Sequence, residues 1–271
     1  MDDSGVLPGG APSPGAGVRT DIAHPARVYD YWLGGKDNFA ADREHAERAL
    51  GLVPEMRVYA RGNRQFMVRA VRCLRDAGIR QFLDVGAGLP TSPNVHEIAR
   101  EADPGARVVY VDNDPMVFLH AEALMAKGGT TGVVRADMRQ VEDVIARAGE
   151  VIDFREPVAL MFVASLHHLE DEDDPAGLVA RYLEAVVPGS YLILSHVTSD
   201  LAPEGFRKGR TEARESGVTV APRGKDAILR MFNGRGLLDP GLVLVSRWRP
   251  ESGQLDPNAD RAMAYGGVAA L

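Results

Sequence analysis

The chain has 271 residues, of which 45% are hydrophobic, with a formal net charge of −7 and a single cysteine. This length can bury one large core, so we expect one main domain, and a lone cysteine excludes an internal disulfide. The acidic balance, without a dense run of lysine and arginine, argues against nucleic acid or an anionic membrane surface as a partner.

The first 20 residues are rich in glycine, proline, alanine and serine and contain no aromatic residue. Such a segment cannot offset its ordering entropy by burying apolar surface, so we expect a disordered tail. It also lacks a basic stretch followed by an apolar one, as a secretory signal would have. The longest apolar run, residues 158–166, is too short to span a membrane. These features predict a cytoplasmic protein.

Residues 21–77 carry a helical pattern. Pro25 suits the first turn of a helix, and Tyr29, Trp32 and Leu33 fall on one face of it. A longer segment, residues 54–74, has apolar residues at helical spacing. We therefore predict an N-terminal helical cap over residues 21–77.

Residues 78–271 show a different period. Five short apolar runs occur, and the first four are each followed by a plausible helix: 82–85, 108–111, 132–135, 158–163 and 191–195. This alternation predicts an α/β domain with a parallel sheet covered on both faces. Two further runs, 241–248 and 262–270, are separated by a polar segment too short for the usual crossover helix. They predict an antiparallel hairpin that closes the sheet.

The first strand runs into a glycine turn. Gly86 and Gly88 lie where open α/β sheets bind ligands, and without Cβ atoms they let the backbone approach a ligand closely. A helix starting near Ser92 or Pro93, capped by Thr91 or Ser92, would direct free N–H groups towards an anionic group. The alternative is an ordinary turn between strand and helix.

Two acidic residues follow the next two strands. Asp112 ends the second strand, where a carboxylate can accept hydrogen bonds from both ribose hydroxyls. Asp137 follows the third strand, where a carboxylate can accept a hydrogen bond from the exocyclic amine of adenine. Each residue alone is more often a turn or cap residue. Three adjacent strand ends with polar groups favour a nucleoside site.

The glycine turn does not fit the dinucleotide-binding fingerprint, because Thr91 stands at the position of its third glycine. Residues Asp84 to Gly88 read D-V-G-A-G, which resembles the D-x-G-x-G motif of class I S-adenosylmethionine-dependent methyltransferases. The resemblance covers about residues 80–271. It implies a Rossmann-like, seven-stranded and mostly parallel sheet with a C-terminal antiparallel hairpin.

A narrower resemblance lies in the predicted cap. Residues 25–42, PARVYDYWLGGKDNFAAD, followed by NRQF at residues 63–66, are similar to the signature of an actinobacterial family of S-adenosylmethionine methyltransferases, DUF574. The signature is long and therefore specific. It implies an enzyme whose cofactor is S-adenosylmethionine.

The resemblance and the strand ends together predict a set of cofactor-binding residues. They are Asp84, Gly86, Ala87, Gly88, Asp112, Asn113, Asp137, Met138, Phe162 and Val163 from the sheet, and Tyr29, Lys36 and Arg64 from the cap. Lys36 or Arg64 would meet the methionyl carboxylate.

The aromatic residues of the cap have two readings. In the first, Tyr29, Tyr31 and Trp32 close over the sulfonium, and in the second, Trp32, Leu33 and Phe39 simply pack the cap on the sheet. In the second reading Gly34 and Gly35 form a turn, and Asp37 or Asn38 caps the helix that follows. Packing is favoured for the aromatic residues.

Two histidines follow the fourth strand. His167 or His168 could remove a proton from an acceptor hydroxyl, and His196, at the end of the fifth strand, is another candidate base. Histidines with a purely structural role remain the alternative. We expect no metal site, because the acidic residues before Pro175 are better explained by a helix that Asp174 caps.

Few catalytic groups are needed for methyl transfer from a sulfonium, because positioning the acceptor supplies much of the acceleration. We predict a methyltransferase acting on an oxygen or nitrogen of a small metabolite, with residues 198–223 as an insertion over the acceptor site. The alternative is a non-catalytic regulatory protein that binds S-adenosylmethionine or S-adenosylhomocysteine. A nicotinamide-dependent oxidoreductase is a third and weaker prediction. A wide cavity beside the methyl group would favour the enzyme.

Overall fold

The computed structural model describes residues 17–125, 129–201, 204–205, 207–209, 218–250 and 259–271. Most of the predicted disordered tail, the middle of the predicted insertion and the polar segment before the last predicted strand lie outside these residues. The chain begins with three helices, which are α1 (Pro25–Leu33), α2 (Ala40–Leu52) and α3 (Met56–Asp76).

Local sequence explains where α1 begins and ends. Pro25 occupies its first turn, as predicted. The helix ends at Gly34, which adopts a left-handed conformation with φ of +86° and donates its backbone N–H to the Asp30 and Tyr31 carbonyls. The predicted cap of α2 was wrong. Phe39 is the N-cap, and its backbone N–H donates to the Asp42 carboxylate over 2.8 Å.

Eight strands form one sheet. They are β1 (Gln81–Val85), β2 (Arg107–Asp112), β3 (Thr131–Arg135), β4 (Ala159–Val163), β5 (Tyr191–Val197), β6 (Gly236–Leu237), β7 (Val243–Leu244) and β8 (Ala264–Ala270). The order across the sheet is β3-β2-β1-β4-β5-β8-β6, with β7 also paired to β8. Neighbours among the first five strands are parallel, and β8 is antiparallel to all its partners. The predicted Rossmann-like fold is confirmed.

The closing hairpin differs from its predicted form. Most of the predicted strand 241–248 is absent, because only Val243–Leu244 pairs and residues 245–247 form a 3₁₀ turn. Strands β6 and β7 pair with the same edge of β8, so the sheet has seven positions and the last one is split. A turn at residues 238–241 separates the two halves. It contains Pro240, which has no N–H to donate to a ladder.

Five more helices have both ends within the described residues. They are α4 (Val95–Arg100), α5 (Pro115–Met125), α6 (Val141–Ala148), α7 (Pro175–Leu183) and α8 (Lys225–Arg230). Asp174 caps α7 as predicted, by accepting from the backbone N–H of Gly177 over 3.0 Å. The predicted cap of α4 at Thr91 or Ser92 was wrong, because Asn94 is the N-cap. The Asn94 side chain accepts instead from the Thr91 backbone N–H over 3.1 Å.

Apolar side chains fill both faces of the sheet. One face packs against the helices of the cap, including α3, and the other packs against α6, α7 and α8. Helix α3 covers the sheet with fully buried side chains such as Phe66, whose ring contacts Trp248 edge to face at 5.5 Å. The division between cap and main domain at residue 77 therefore remains a proposal. Within the described ranges, no helix is long and apolar enough to cross a membrane.

Candidate functional site

A cavity of about 540 Å³ opens at the carboxyl ends of β1 to β5, beneath α1 and α3. Its volume falls in the range of small-molecule sites, about 300–1,000 Å³. The following predicted residues line it: Tyr29, Arg64, Asp84, Gly86, Ala87, Gly88, Asp112, Asn113, Asp137, Met138, Val163, His167 and His168. The fold thus brings together thirteen of the fifteen predicted site residues, all except Phe162 and Lys36.

The glycine turn after β1 is held by the neighbouring strand. The backbone N–H groups of Gly86 and Ala87 donate to the Val111 carbonyl over 2.8 and 3.0 Å. Gly86 has φ of +79°, and a Cβ there would lie 2.4 Å from the Ser165 Cβ. Gly88 has φ of +67°, but a Cβ there would meet no protein atom within 4 Å. Gly86 is therefore required by packing, whereas the missing side chain of Gly88 leaves space for a ligand.

Asp112 joins the end of β2 to this turn. Its Oδ2 accepts from the Gly88 backbone N–H over 2.9 Å, and its Oδ1 accepts from the Asp114 backbone N–H over 2.9 Å. Burial raises the pKa of the Asp112 carboxyl, and these two hydrogen bonds oppose the rise. Since a carboxylate oxygen has two lone pairs, each oxygen can accept a further hydrogen bond.

Asp84 and Arg64 lie on either side of the turn. Burial raises the pKa of Asp84 to about 7, while the Arg64 charge lowers it and the Asp112 charge raises it further. Arg64 reaches from α3 and donates through Nη2 to the Thr91 carbonyl and, over 2.8 Å, to the Pro93 carbonyl. Its buried Nε has no hydrogen-bond partner. Arg64 therefore fixes the loop before α4, and its Nε–H group can still donate a hydrogen bond to a ligand.

Asp137 is held by Arg139, which was not among the predicted site residues. Arg139 donates to Asp137 through Nε over 3.0 Å and through Nη2 over 2.6 Å, and its backbone N–H donates over 2.9 Å. These hydrogen bonds hold the pKa of Asp137 below its usual range. Arg139 Nη1 also donates to Asp173 over 3.0 Å. Oδ1 of Asp137 accepts two of these bonds, so Oδ2 keeps the free lone pair.

The cap aromatics have structural partners. Tyr29 Oη donates to the Ala60 carbonyl over 2.9 Å and accepts from Asn63 Nδ2 over 3.0 Å. Trp32 lines the cavity too, and its Nε1 donates to the Ala46 carbonyl over 3.4 Å. The Tyr31 hydroxyl instead donates to Glu47 over 2.6 Å outside the cavity. Packing accounts for Tyr31, whereas Tyr29 and Trp32 both pack and face the cavity.

Lys36 and Phe162 do not line the cavity. Lys36 is exposed in the turn after α1. Phe162 is fully buried on the opposite face of the sheet from Val163, because successive strand residues alternate, and its ring contacts Tyr182 at 5.2 Å. Neither residue is placed where the predicted ligand contact requires it.

His167 and His168 form a short turn after β4. His168 Nδ1 donates to the Thr219 carbonyl over 2.7 Å, so its Nε2 carries the lone pair of the neutral ring. Burial lowers the pKa of His168 to about 4 and that of His167 well below its ordinary value. Both rings are therefore neutral near pH 7, in the form that can accept a proton.

His196 is wrong as a candidate base. It is fully buried in β5 and does not line the cavity. Its Nδ1 donates to the Val197 carbonyl over 2.7 Å, and its Nε2 accepts from Arg223 Nη1 over 3.1 Å. Arg223 also donates to the Leu169 carbonyl over 2.9 Å. His196 thus helps to fix the turn that carries the other two histidines.

The cap is anchored by a buried charged cluster that was not predicted. His24 Nδ1 lies 2.9 Å from Asp114 Oδ2, and Arg27 Nε lies 3.3 Å from Asp42 Oδ1 and 3.6 Å from Asp114 Oδ2. The cluster joins α1, α2 and the turn after β2. Much of the polar signature in residues 25–42 is therefore structural. Asn38 supports this reading, because its Nδ2 donates to Asp30 over 2.8 Å.

Other lining residues were also missed, and they share one signal. Met56, Tyr59, Asn63 and Met67 of α3 follow helical spacing and all line the cavity. The helical period could have placed these four residues on one face of α3. It could not have identified the ligand that this face contacts. Across the described part of the chain, no group of three or more His, Cys, Asp or Glu side chains is arranged to hold a metal ion.

Comparisons with known proteins agree with this geometry. Residues 13–271 match the model of a family described as S-adenosyl methyltransferase. The chain is 40% identical to a DUF574 family protein from Streptomyces avermitilis, with 93% of this chain and 98% of that one covered and a TM-score of 0.88. It is 39% identical to a candidate methyltransferase from Thermobifida fusca, with 93% and 95% covered and a TM-score of 0.86. No curated protein matches the sequence.

Proposed function

The chain belongs to the S-adenosyl methyltransferase family, and from this premise we propose that it methylates an oxygen or nitrogen of a small metabolite. Its cofactor is S-adenosylmethionine. When bound, the cofactor supplies an electrophilic methyl group on a positively charged sulfonium.

The residues at the strand ends fit the nucleoside part of this cofactor. The open space beside Gly88 allows close approach to the backbone, and both oxygens of Asp112 can accept from ribose hydroxyls. Asp137 Oδ2 can accept one further hydrogen bond from the adenine amine, and the hydrogen bond from Arg139 fixes the orientation of this carboxylate. We assign these residues to the adenosyl end, with Ala87, Asn113 and Met138 beside them.

The other end of the cofactor carries an ammonium and a carboxylate. Asp84, buried beside the turn, suits a cationic group, which would stabilise its ionised form. Arg64 Nε is a buried donor without a partner in the described part of the chain, which suits a carboxylate. Tyr29 and Val163 would line the space between these groups and the sulfonium.

Two groups of elements line the cavity, and the proposal depends mainly on this observation. The strand ends supply the residues assigned to the cofactor, while α1, α3 and residues 218–220 supply further lining that those assignments do not use. A methyl acceptor requires such additional space beside the cofactor. Simple cofactor binding does not require it.

His168 is the best placed base. Its Nδ1 is fixed on Thr219, its Nε2 carries the lone pair, and it lines the cavity. His167 also lines the cavity but is packed against the rings of Tyr59, His168 and His196. We propose that His168 accepts the proton of the acceptor hydroxyl or amine, while the surrounding side chains hold that atom in line and exclude water.

The proposal is tested by incubating the purified protein with methyl-labelled S-adenosylmethionine and a fractionated metabolite extract. Label should appear in a small-molecule fraction. His168→Gln should slow its formation about 10²-fold or more, as expected when a general base is lost, while leaving cofactor binding intact.

Asp112→Ala serves as the control for cofactor dependence and should reduce labelling at limiting cofactor, with recovery when the cofactor concentration is raised. A protein that binds the cofactor tightly but labels no fraction would favour the regulatory alternative. Unchanged labelling by the His168→Gln variant would remove His168 as the base.

A further inference from the structure

Apart from Arg64, one wall of the cavity contains no charged residue among the described residues. It is built by α1, α3, the turn after β4 that carries His167 and His168, the end of β5 and residues 218–220, and we call it the uncharged wall. Its apolar side chains include Val28, Trp32, Met56, Met67, Val197 and Val220. This wall lies outside the set of residues assigned to the cofactor, apart from Tyr29 and Arg64.

The charged residues that line the same cavity lie elsewhere. They are at the strand ends and in the turn before α7: Asp84, Asp112, Asp137, Arg139, Glu170 and Asp173. Arg64 belongs to α3 but donates to the carbonyls of the loop before α4. A buried cation, Arg223, acts electrostatically on His167, but it is already paired with Asp171 over 2.7 Å.

Most polar atoms of the uncharged wall are satisfied within the protein. The Tyr29 hydroxyl bonds to Ala60 and Asn63, and Asn63 Oδ1 accepts from Ser195 Oγ over 2.5 Å. His168 Nδ1 donates to Thr219. The wall is thus a network in which each of these groups already has a partner.

Two atoms of the same wall are exceptions. Tyr59 Oη and His167 Nδ1 have no hydrogen-bond partner among the described residues, although their side chains are only 1% and 4% exposed. Both residues line the cavity, and their rings meet edge to face with centroids 6.3 Å apart. Buried polar groups almost always have partners, so an adjacent pair without them indicates a ligand.

A third unpartnered atom belongs to a different part of the cavity. Ser165 Oγ also has no partner. Its Cβ, however, lies 2.4 Å from where a Cβ of Gly86 would stand, which places it against the glycine turn. Ser165 therefore belongs with the cofactor residues and not with the Tyr59 and His167 pair.

We propose that Tyr59 Oη and His167 Nδ1 form a neutral hydrogen-bonding subsite that selects an uncharged, largely apolar methyl acceptor carrying a hydroxyl or carbonyl group. The inference rests on the methyl-transfer function proposed above and names its substrate class. A hydroxyl can satisfy both atoms, since it donates one hydrogen bond and accepts others. A carboxylate or ammonium would be buried there without an opposite charge, which is strongly unfavourable.

Both groups remain neutral over a wide pH range. Burial raises the pKa of the Tyr59 phenol well above its ordinary value. Burial also lowers the pKa of His167 well below its own, with smaller contributions from His168, His196 and Arg223. The subsite therefore offers a neutral hydroxyl and a neutral imidazole to the acceptor near pH 7.

The subsite is tested with three matched probes: 2-naphthol, 2-naphthoate and 2-(aminomethyl)naphthalene. Each is titrated by calorimetry into the full chain saturated with S-adenosylhomocysteine at pH 7.5. Binding of S-adenosylhomocysteine is measured first, because its failure would count against the proposed function and not only against the subsite. We expect 2-naphthol to bind at least about tenfold more tightly than either charged probe.

Variants identify the groups responsible. Tyr59→Phe removes one hydroxyl and should weaken 2-naphthol binding about five- to twentyfold, the range for a lost hydrogen bond. The same change should leave the thermal midpoint unchanged or raise it, since the hydroxyl has no partner in the protein. His167→Phe should also weaken 2-naphthol, and His167→Asn, which keeps a polar atom near the Nδ1 position, should restore part of the affinity.

Tyr31→Phe is the matched control, because this tyrosine lies outside the cavity. It should change neither probe binding nor S-adenosylhomocysteine binding. Equal binding of the neutral and charged probes, or no binding of any probe, would overturn the inference. So would unchanged 2-naphthol affinity in Tyr59→Phe, and a large loss of stability in that variant would indicate a purely structural hydroxyl.

Discussion

The carboxylate of Asp112 accepts a hydrogen bond from the backbone N–H of Gly88 over 2.9 Å. The acid at the end of β2 and the glycine turn after β1 are therefore one unit, although they come from separate strands. A change in either residue moves the other, so their contributions to cofactor binding cannot be independent.

Replacing Asp112 by Ala should weaken S-adenosylmethionine binding by about 1–3 kcal/mol, because the ribose hydroxyls lose a charged acceptor and the glycine turn loses its tie. Asp112→Asn keeps one acceptor oxygen and should lose less. Calorimetric titration of both variants measures the difference. Unchanged affinity in Asp112→Ala would show that Asp112 does not contact the ribose.

The two glycines of the turn should respond differently to the same change. Gly86→Ala should destabilise the fold by several kcal/mol, since its Cβ would lie 2.4 Å from the Ser165 Cβ, at a φ of +79°. Gly88→Ala has room for its Cβ and should cost only about 1 kcal/mol of backbone strain. It should nevertheless reduce cofactor affinity at least about tenfold, because the methyl group enters the ligand space.

Urea unfolding and cofactor titration distinguish these two effects. Gly88→Val, with a larger side chain at the same place, should abolish binding while leaving the fold intact. Normal binding by that variant would contradict close approach of the cofactor to the backbone.

Asp84 should make stability depend on pH. Its pKa in the folded protein is about 7, above the value near 4 of an unfolded Asp, so the folded state binds the extra proton between those values. The free energy of unfolding should therefore fall as the pH rises from about 4 to about 7.

Asp84→Asn removes the titrating carboxyl and with it this pH dependence. The free energy of unfolding of the variant minus that of the parent should therefore increase by at least about 1 kcal/mol between pH 5 and pH 8. Urea unfolding at the two pH values measures the gain. An equal difference in stability at both values would show that Asp84 titrates normally. S-adenosylmethionine should also bind more tightly above pH 7, where Asp84 is ionised.

The charged cluster under the cap should be essential for folding. Arg27→Met leaves Asp42 and Asp114 buried without their arginine, which typically costs about 3–5 kcal/mol. Arg155→Ala removes a salt bridge to Asp153 in which the arginine side chain is 90% exposed, and it should have little effect on stability because solvent screens such a pair. Denaturant unfolding of the pair makes the comparison. Similar losses in the two variants would mean that the cluster adds little.

The sequence was sufficient for those parts of the fold that depend on local signals. The five parallel strands were found because each is a short apolar run and the first four are each followed by a helical pattern. The glycine turn was recognised because Gly86 and Gly88 follow directly after the first of them. Asp112 and Asp137 followed from the rule that parallel strands end at one edge of a sheet.

The cap of α4 was missed although its signal is local. Asn94 rather than Thr91 or Ser92 caps α4, and the Asn94-x-x-Glu97 spacing is that of a capping box. Other parts that were missed depend on contacts between distant segments. His196 is occupied by Arg223, which lies in the segment predicted as an insertion. No spacing in the sequence indicates such partners.

Phe162 and Lys36 illustrate two other sources of error. Phe162 was placed in the site with Val163, although adjacent residues of a strand face opposite sides. Lys36 was chosen for its charge, but the turn at Gly34 directs it to solvent. Charge and proximity in sequence are weaker guides than the direction of the backbone.

Strand β8 lies between β5 and the pair β6 and β7, although it follows all of them in the chain. During synthesis on the ribosome, β6 and β7 therefore emerge before β8, the strand with which they pair. The edge of β5 is also open until β8 inserts, since β8 pairs with it along seven residues. A nascent chain stalled before residue 264 would expose an unprotected sheet edge, which is a surface that chaperones bind and that promotes aggregation.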